Sequence, residues 1–439
     1  MRSKWSQVKL GNLVNIKHGF AFKGEFFSDT PTSYQLTTPG NFAIGGGFQA
    51  GRGKFYSGPV PEDYILKAGD LLVTMTDLSK AADTLGYAAA VPDSIGTVWL
   101  HNQRVGLISI KPDALLNKGF LHYLMRSPEY RHWVVSTATG STVKHTSPGR
   151  ICEFEFNLPP MEYQHSVAEM LGALDDRITL LRETNTTLEA ISQALFKSWF
   201  VDFDPVHAKM QGRAPEGMDE ATAVLFPNSF EESELGDVPK GWSVGTVGDF
   251  ARLKKGTVNP SSQPDSVFQH FSLPAFDDGQ SPVIEFGTSI KSNKTPVPED
   301  AVLLSKLNPH IPRIWLPVSA GRNAVCSTEF LAFQPTGVGS RELIYCLFSS
   351  PDFISRLQQL VTGTSNSHQR IKPDQVALMT SFVPIASIAN AFEKLMRPVF
   401  ERIHANRQKV ITLSAIRDTL LPRLISGQLS LAEAATETI

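Results

Sequence analysis

Trp5-Ser6-Gln7-Val8-Lys9-Leu10-Gly11-Asn12-Leu13 reappears as Trp242-Ser243-Val244-Gly245-Thr246-Val247-Gly248-Asp249-Phe250 in this chain of 439 residues. The match runs on in order. Ile16-Lys17-His18-Gly19 faces Leu253-Lys254-Lys255-Gly256, and Ser127-Pro128-Glu129-Tyr130 answers Ser350-Pro351-Asp352-Phe353. Thr139-Gly140-Ser141-Thr142 answers Thr362-Gly363-Thr364-Ser365. Arg177-Ile178, Arg182, Thr187-Leu188, Ala190-Ile191 and Leu195 answer Arg402-Ile403, Arg407, Thr412-Leu413, Ala415-Ile416 and Leu420 without a gap. An ordered series of this length marks an internal duplication.

Each copy opens with short β-type runs between Gly, Pro and Asn turns. Leu71-Leu72-Val73-Thr74-Met75, Arg104-Val105-Gly106-Leu107-Ile108-Ser109-Ile110 and Phe330-Leu331-Ala332-Phe333 are examples, and one helical stretch is expected near 119–135 and near 341–361. The expected class is α+β (mixed α/β). Each copy then ends in a long helix. Leu158-Pro159-Pro160 stops a strand, and no proline follows until Pro205. Leu174, Leu181, Leu188 and Leu195 fall seven apart, with Ile178 widening the stripe. Val399, Asn406, Leu413 and Leu420 take those places in the second copy, beside Ile403 and Val410. Such a seam is that of a coiled coil, with Asn185 and Asn406 as register-fixing polar interruptions. Pro398 predicts a kink, or a helix that starts late near Val399. A helix of roughly 36 residues is about 55 Å long, longer than its own domain requires. The joining segment 201–241 can run back along it, which permits an antiparallel pair. The alternative is an amphipathic helix lying on its own domain.

Composition limits the function classes. Apolar residues make up 41%, charged 19% and aromatic 9%, as in globular domains. Forty-one Lys+Arg against 43 Asp+Glu give a net charge of -2, which excludes a uniformly basic coat but leaves room for a local basic cleft. The three cysteines, Cys152, Cys326 and Cys346, form no CxxC pair and no four-cysteine zinc site. The start Met1-Arg2-Ser3-Lys4-Trp5-Ser6-Gln7 has no apolar signal core, and no run of about 18 apolar residues occurs. The expectation is a cytoplasmic protein without a membrane role.

Cations recur in the turns of both copies: Lys17, His18 and Lys23; Arg52 and Lys54; Lys144, His145 and Arg150. The second copy has Lys254 and Lys255; Lys291 and Lys294; Lys306, His310 and Arg313; and His368, Arg370 and Lys372. Such side chains grip phosphates and read purine edges. Two related domains spaced by a rod suit duplex DNA, which offers two patches at a fixed spacing. Sites for chemistry are missing. No Asn/Asp-Pro-Pro-Tyr/Phe tetrapeptide, no Asp/Glu-x-Lys pair and no HExxH occur, so neither a catalytic nor a metal site is expected. The loop Gly45-Gly46-Gly47-Phe48-Gln49-Ala50-Gly51-Arg52-Gly53-Lys54 lacks P-loop spacing and reads as a flexible loop or a DNA-backbone contact. Trp99, Trp133 and Trp315 read as core.

The Trp-Ser starts, the Gly-Ser/Thr loops, Leu158-Pro159-Pro160-Met161 and Phe196-Lys197-Ser198-Trp199-Phe200-Val201-Asp202-Phe203-Asp204-Pro205 together resemble the specificity subunit of type I restriction-modification systems, over essentially the whole chain. Two departures occur. The family's Glu-Gln after the double proline reads Tyr163-Gln164, and the second copy has Val383-Pro384-Ile385. The resemblance implies target recognition domains at 1–158 and 241–384, long helices at 159–203 and 385–439, and a linker at 204–240. Each domain would read one half of a split DNA site, while the helices set the spacer and dock two methyltransferase subunits. Two restriction subunits would complete the assembly. S-adenosylmethionine, ATP and Mg²⁺ would sit on those partners, and this chain would hold no cofactor. A nucleic-acid enzyme with an unrecognised site and a coiled-coil scaffold without DNA binding are the alternatives.

Overall fold

The computed structural model describes residues 5–79, 81–234, 236–361, 369–431 and 433–434, with the Arg52 side chain left aside. It divides into one unit made of Met1–Ile178 with Thr412–Ile439 and a second made of Thr179–Ile411.

In the first unit, Ser6–Lys9 pairs antiparallel with Glu155–Leu158, bringing the start of the domain to the foot of its helix. An antiparallel sheet follows in the order Val14–His18, Val105–Ile110, Leu71–Thr74, Ala88–Ala90. A second sheet runs Phe27–Ser28, Lys54–Tyr56, Tyr34–Leu36, Val98–Leu100, its last pair parallel. The second unit repeats this plan. Ser243–Thr246 pairs with Thr380–Val383. One sheet runs Ala251–Leu253, Phe330–Pro335, Val302–Ser305, Ile314–Trp315, and the other contains the parallel pair Val267–Phe271 and Ala324–Cys326. Leu71–Thr74 and Val302–Ser305 are buried at every position, as a strand covered on both faces must be. Trp99 and Trp315 are core residues.

The helical stretch expected in each domain is two helices. Lys118–Leu124 and Pro128–Ser136 in the first unit, and Arg341–Ser349 and Pro351–Gln359 in the second, break at Ser127-Pro128 and Ser350-Pro351. Proline supplies no N–H to the preceding turn, and the serine hydroxyl caps the new helix: Ser127 accepts from the Tyr130 N–H, Ser350 from that of Phe353.

Two helices of 40 residues, Met161–Phe200 and Ala386–Ile425, carry the seam. Each is about 60 Å long at 1.5 Å per residue. Ile178, Leu181, Ile403 and Leu420 are buried; Leu174, Leu188, Leu195, Val399, Val410 and Leu413 are half-buried. Val167, Leu171, Asn185, Ser192 and Trp199 complete alternating steps of three and four on the first helix. In the second unit the helices meet through polar and aromatic pairs. The Asn406 amide donates to Asn185 Oδ1 at 2.9 Å, and Asn185 donates to the Ile403 carbonyl at 3.3 Å. Arg407 donates to Glu189 at 2.6 Å, and the Phe200 and Phe392 rings lie 5.0 Å apart. In the first unit Arg417 donates to Asp175 at 2.7 Å and the Tyr163 hydroxyl to the Leu424 carbonyl at 3.0 Å. From Asn185–Asn406 to Phe200–Phe392 in the second unit, and from Tyr163–Leu424 to Asp175–Arg417 in the first, the partner's number falls as the first helix's number rises, so the pairing is antiparallel.

The late start near Val399 is not found: the second helix begins at Ala386 and continues past Pro398 to Ile425. Phe392, Met396 and Phe400 bury one face on both sides of the proline. Packing there outweighs the one backbone hydrogen bond that proline removes. The linker is folded rather than extended, into helices Asp204–Met210 and Glu220–Leu225 and a hairpin of Phe230–Ser233 with Gly236–Pro239. Phe203, at φ +54°, turns the chain out of the long helix. Its ring packs on Trp242 at 5.5 Å, and Trp199 packs on Phe226 at 5.0 Å. The aromatic motif at 196–203 is thus the knot that ties the helix end, the linker and the start of the second copy into one core.

Candidate nucleic-acid interface

The cations named from the sequence fall into two groups. In the first, the charge is already engaged. Lys17 donates to the Asp63 carbonyl at 2.9 Å and lies 4.2 Å over the Tyr64 ring. Lys23 pairs with Glu25 at 3.6 Å. Arg150 donates to the Thr139 hydroxyl at 3.3 Å, and Lys291 to the Thr288 carbonyl at 2.6 Å. Arg313 grips Asp277 through two hydrogen bonds of 2.7 and 2.9 Å, and Arg370 grips Glu329 through two of 3.1 and 3.0 Å. Lys294 is buried, donates to the Ser292 hydroxyl at 2.6 Å, and has its pKa pushed down by burial.

In the second group the charge has no side-chain hydrogen bond or ion pair among the described residues. It comprises His18, Lys54, Lys144, Lys254, Lys255, Lys306, His310 and Lys372, with Lys54 5.5 Å over the Phe27 ring. His145 lies 3.1 Å from the Thr76 hydroxyl through Nδ1. His368, the rest of 362–368 and the Arg52 side chain lie outside the described residues.

The glycine-rich loop is tied down at Gly45–Gly47 rather than slack. The Gly46 N–H donates to Ala43 and the Gly47 N–H to Ala88. Gly45, Gly46 and Gly47 have φ of +86°, +93° and +101°, values that favour glycine. A Cβ on Gly46 would stand 2.6 Å from the Arg126 side chain, and the Gly45 carbonyl accepts from Arg126 Nε at 2.6 Å. The loop therefore folds around Arg126. That guanidinium, 2% exposed, also pairs with Asp175 of the first long helix at 2.6 Å, and Asp175 receives Arg417 of the second. Sequence reasoning missed this network, because none of its members lies near another in the chain.

It likewise missed what the departure Tyr163-Gln164 does. Gln164 is fully buried: its amide donates to the Pro159 and Leu115 carbonyls, and its Oε1 accepts from the Asn117 N–H. It fastens the domain to the first turn of the helix. Tyr163 closes the end of the second long helix through the Leu424 and Leu429 carbonyls.

These features define a class: a duplicated α+β chain with two long antiparallel helices, each domain packing on segments of both. Residues 2–190 match the family model described as Type I restriction modification DNA specificity domain. The chain is 25% identical over 374 residues to the type I restriction enzyme HindI specificity subunit of Haemophilus influenzae, covering 73% of this chain and 79% of that one. It is 24% identical over 362 residues to the MjaIX specificity subunit of Methanocaldococcus jannaschii, covering 80% of this chain and 76% of that one. The solved S subunit of a type I restriction-modification system from M. genitalium shares the fold, with a TM-score of 0.54, 16% identity and 96% of each chain covered.

Over residues 2–190, and along most of its length at about a quarter identity, the chain is similar to the specificity subunits of type I restriction-modification systems. No helix among the described residues is long and apolar enough to cross a membrane.

Proposed function

We propose that this subunit directs its complex to a bipartite DNA site, the domain at 1–158 reading one half and the domain at 241–384 the other. The helices at 159–203 and 385–439 set the unread spacer and dock two methyltransferase subunits, to which two restriction subunits are added. The linker 204–240 closes the second domain onto the helix end. The observation that carries the reading is the repetition of one sheet plan on two different sequences, each followed by a 40-residue helix. One scaffold thereby presents two dissimilar surfaces, as a split and asymmetric site requires.

The cations named above supply the phosphate contacts, chiefly those without an internal partner. Such contacts position the complex without specifying sequence. Docking is supported by the outward apolar residues of the long helices. Leu180 and Ile191 on the first, and Leu395 and Ile411 on the second, are 42–51% exposed, more than a helix facing only water needs. The test is methylation profiling of cells that express the chain with its modification subunit. A motif of two short halves around a fixed gap is expected; a continuous motif refutes the reading.

A further inference from the structure

One arrangement at the tips of the two domains recurs although the residues differ. In the first domain the buried strand Leu71–Thr74 runs on into Thr76–Asp77, which pairs antiparallel with Lys144–His145. The Thr74 hydroxyl donates to the Thr76 carbonyl at 3.0 Å, and Thr76 meets His145 at 3.1 Å. In the second domain the buried strand Val302–Ser305 runs on in the same way. The Ser305 hydroxyl donates to the Leu307 carbonyl at 3.1 Å, Leu307 bridges Arg370, and the Asn308 N–H donates to the Gln369 carbonyl at 2.9 Å. In both, the loop leaving a central strand is stitched to the segment that enters a short helix, Pro148–Cys152 or Pro373–Ala377.

Described residues in both loops are tied by hydrogen bonds. Asp77 accepts from the Ser79 N–H at 2.6 Å, the Thr84 N–H at 2.6 Å and the Thr84 hydroxyl at 2.7 Å. Burial pushes its carboxyl up, but these bonds outweigh it and hold the pKa below the ordinary value. Asn308 sits at φ +50° and its carbonyl accepts from the Ile311 N–H at 2.8 Å. Each loop then exposes an apolar side chain that belongs to no core cluster: Leu78 is 66% exposed and Ile311 47%. Beside them stand cations without an ion pair, Lys144 in one domain and Lys306 and His310 in the other. A hydrogen-bonded tip that holds an apolar group in water costs stability, and a chain that builds it twice uses it. An apolar side chain meets the thymine methyl in the major groove, and cations meet the flanking phosphates.

We infer that these stitched loops are the base-reading tips: Leu78 with Lys144 and His145 in the first domain, Ile311 with Lys306 and His310 in the second. The assignment rests on the split-site reading above. Leu78 and Ile311 touch base edges, each in one half-site, while Lys144 and Lys306 hold phosphates. Two neighbouring candidates in the second domain are engaged elsewhere, Arg313 by Asp277 and Lys294 by Ser292.

The experiment profiles DNA methylation in cells carrying the full chain and its modification subunit, comparing wild type with Leu78→Ala, Ile311→Ala, Lys144→Ala and Ile95→Ala. Ile95 is a fully exposed residue outside both tips. All four positions are exposed or half-exposed, and thermal unfolding checks that each variant folds like the parent. Leu78→Ala is expected to relax bases in one half-site only, Ile311→Ala in the other only, and Ile95→Ala in neither. Lys144→Ala is expected to weaken DNA binding by the complex several-fold, with a shallower salt dependence and the motif unchanged. A bipartite wild-type motif that stays intact in both Leu78→Ala and Ile311→Ala overturns this assignment and leaves the split-site reading standing. A continuous wild-type motif overturns both.

Discussion

Asp175 is where the first domain and both long helices share one charge, and its removal has a calculable cost. Its carboxylate faces Arg126 at 2.6 Å and Arg417 at 2.7 Å and accepts from the Tyr123 hydroxyl at 3.0 Å. Burial alone would push its pKa up. The Arg126 and Arg417 charges and hydrogen bonds outweigh that and hold it below the usual carboxylate range. Asp175→Asn keeps the shape and deletes the charge. Arg126, with its side chain 2% exposed, is then a buried cation without an anionic partner, beside the Gly45 carbonyl, the neutral His122 ring and the Tyr123 ring.

Stripping one partner from a buried pair costs about 3–5 kcal/mol. In a unit of about 200 residues each kcal/mol moves the midpoint by roughly 2–4 °C, so the first unit's transition falls by roughly 6–20 °C. Calorimetry of the full chain at pH 7 reads this directly. Arg126→Met with Asp175→Leu and Arg417→Met, which removes all three charges, should recover most of the loss. A midpoint within 2 °C of wild type for Asp175→Asn refutes the reasoning.

Acid gives a second arm to the same experiment. His122 is held neutral, its pKa pushed down to about 4 by burial and by the neighbouring Arg126 charge. The unfolded chain takes up this proton near pH 6.5, the folded chain only near 4. Between those values the unfolded state binds more protons, so stability falls as pH falls. The loss is on the order of 3 kcal/mol at 1.36 kcal/mol per pH unit. His122→Gln should flatten that window. The Asp175 contribution is complete above its unfolded value of 3.8 and is lost only as pH falls through its lower folded value.

Two further outcomes follow from the helix pair. Asn185→Leu or Asn406→Leu alone leaves a buried amide without its partner and costs about 1–3 kcal/mol, whereas the double change costs less than the sum; a strictly additive cycle by urea unfolding would contradict the Asn185–Asn406 contact. One added heptad in each long helix lengthens it by roughly 10 Å, or about three base pairs at 3.4 Å each, so the methylated motif should keep both halves and widen its gap.

The duplication, the α+β class and the two long helices were legible because they are periodic or repeated: a seam every 3.5 residues and a nonapeptide written twice need no coordinates. The Asn185 and Asn406 interruptions were legible for the same reason, since a polar residue inside an apolar register stands out. The late start expected from Pro398 failed because local propensity was weighed without the burial of Phe392, Met396 and Phe400. The single helix expected in each domain failed on Ser-Pro, a start signal read as interior sequence. The turn cations were visible as residue types, but the availability of Arg313 and Arg370 was not, because Asp277 and Glu329 lie in other turns.

The joint between domain and helix shows the division most clearly. Aligned through Ser127-Pro128 and Ser350-Pro351, His122 and Arg126 correspond to Tyr345 and Ser349, and through Arg177 and Arg402 Asp175 corresponds to Phe400. The first copy fills that joint with an ion network, while the second packs Tyr345 on Phe400 at 5.0 Å. Sequence alone determined that two related halves exist and that each ends in a helix with a buried stripe, because those properties repeat along one dimension. Only the tertiary structure decided which buried groups meet, and so which charges are spent inside and which remain for a partner, because hydrogen bonds and desolvation act between residues that the chain itself holds far apart.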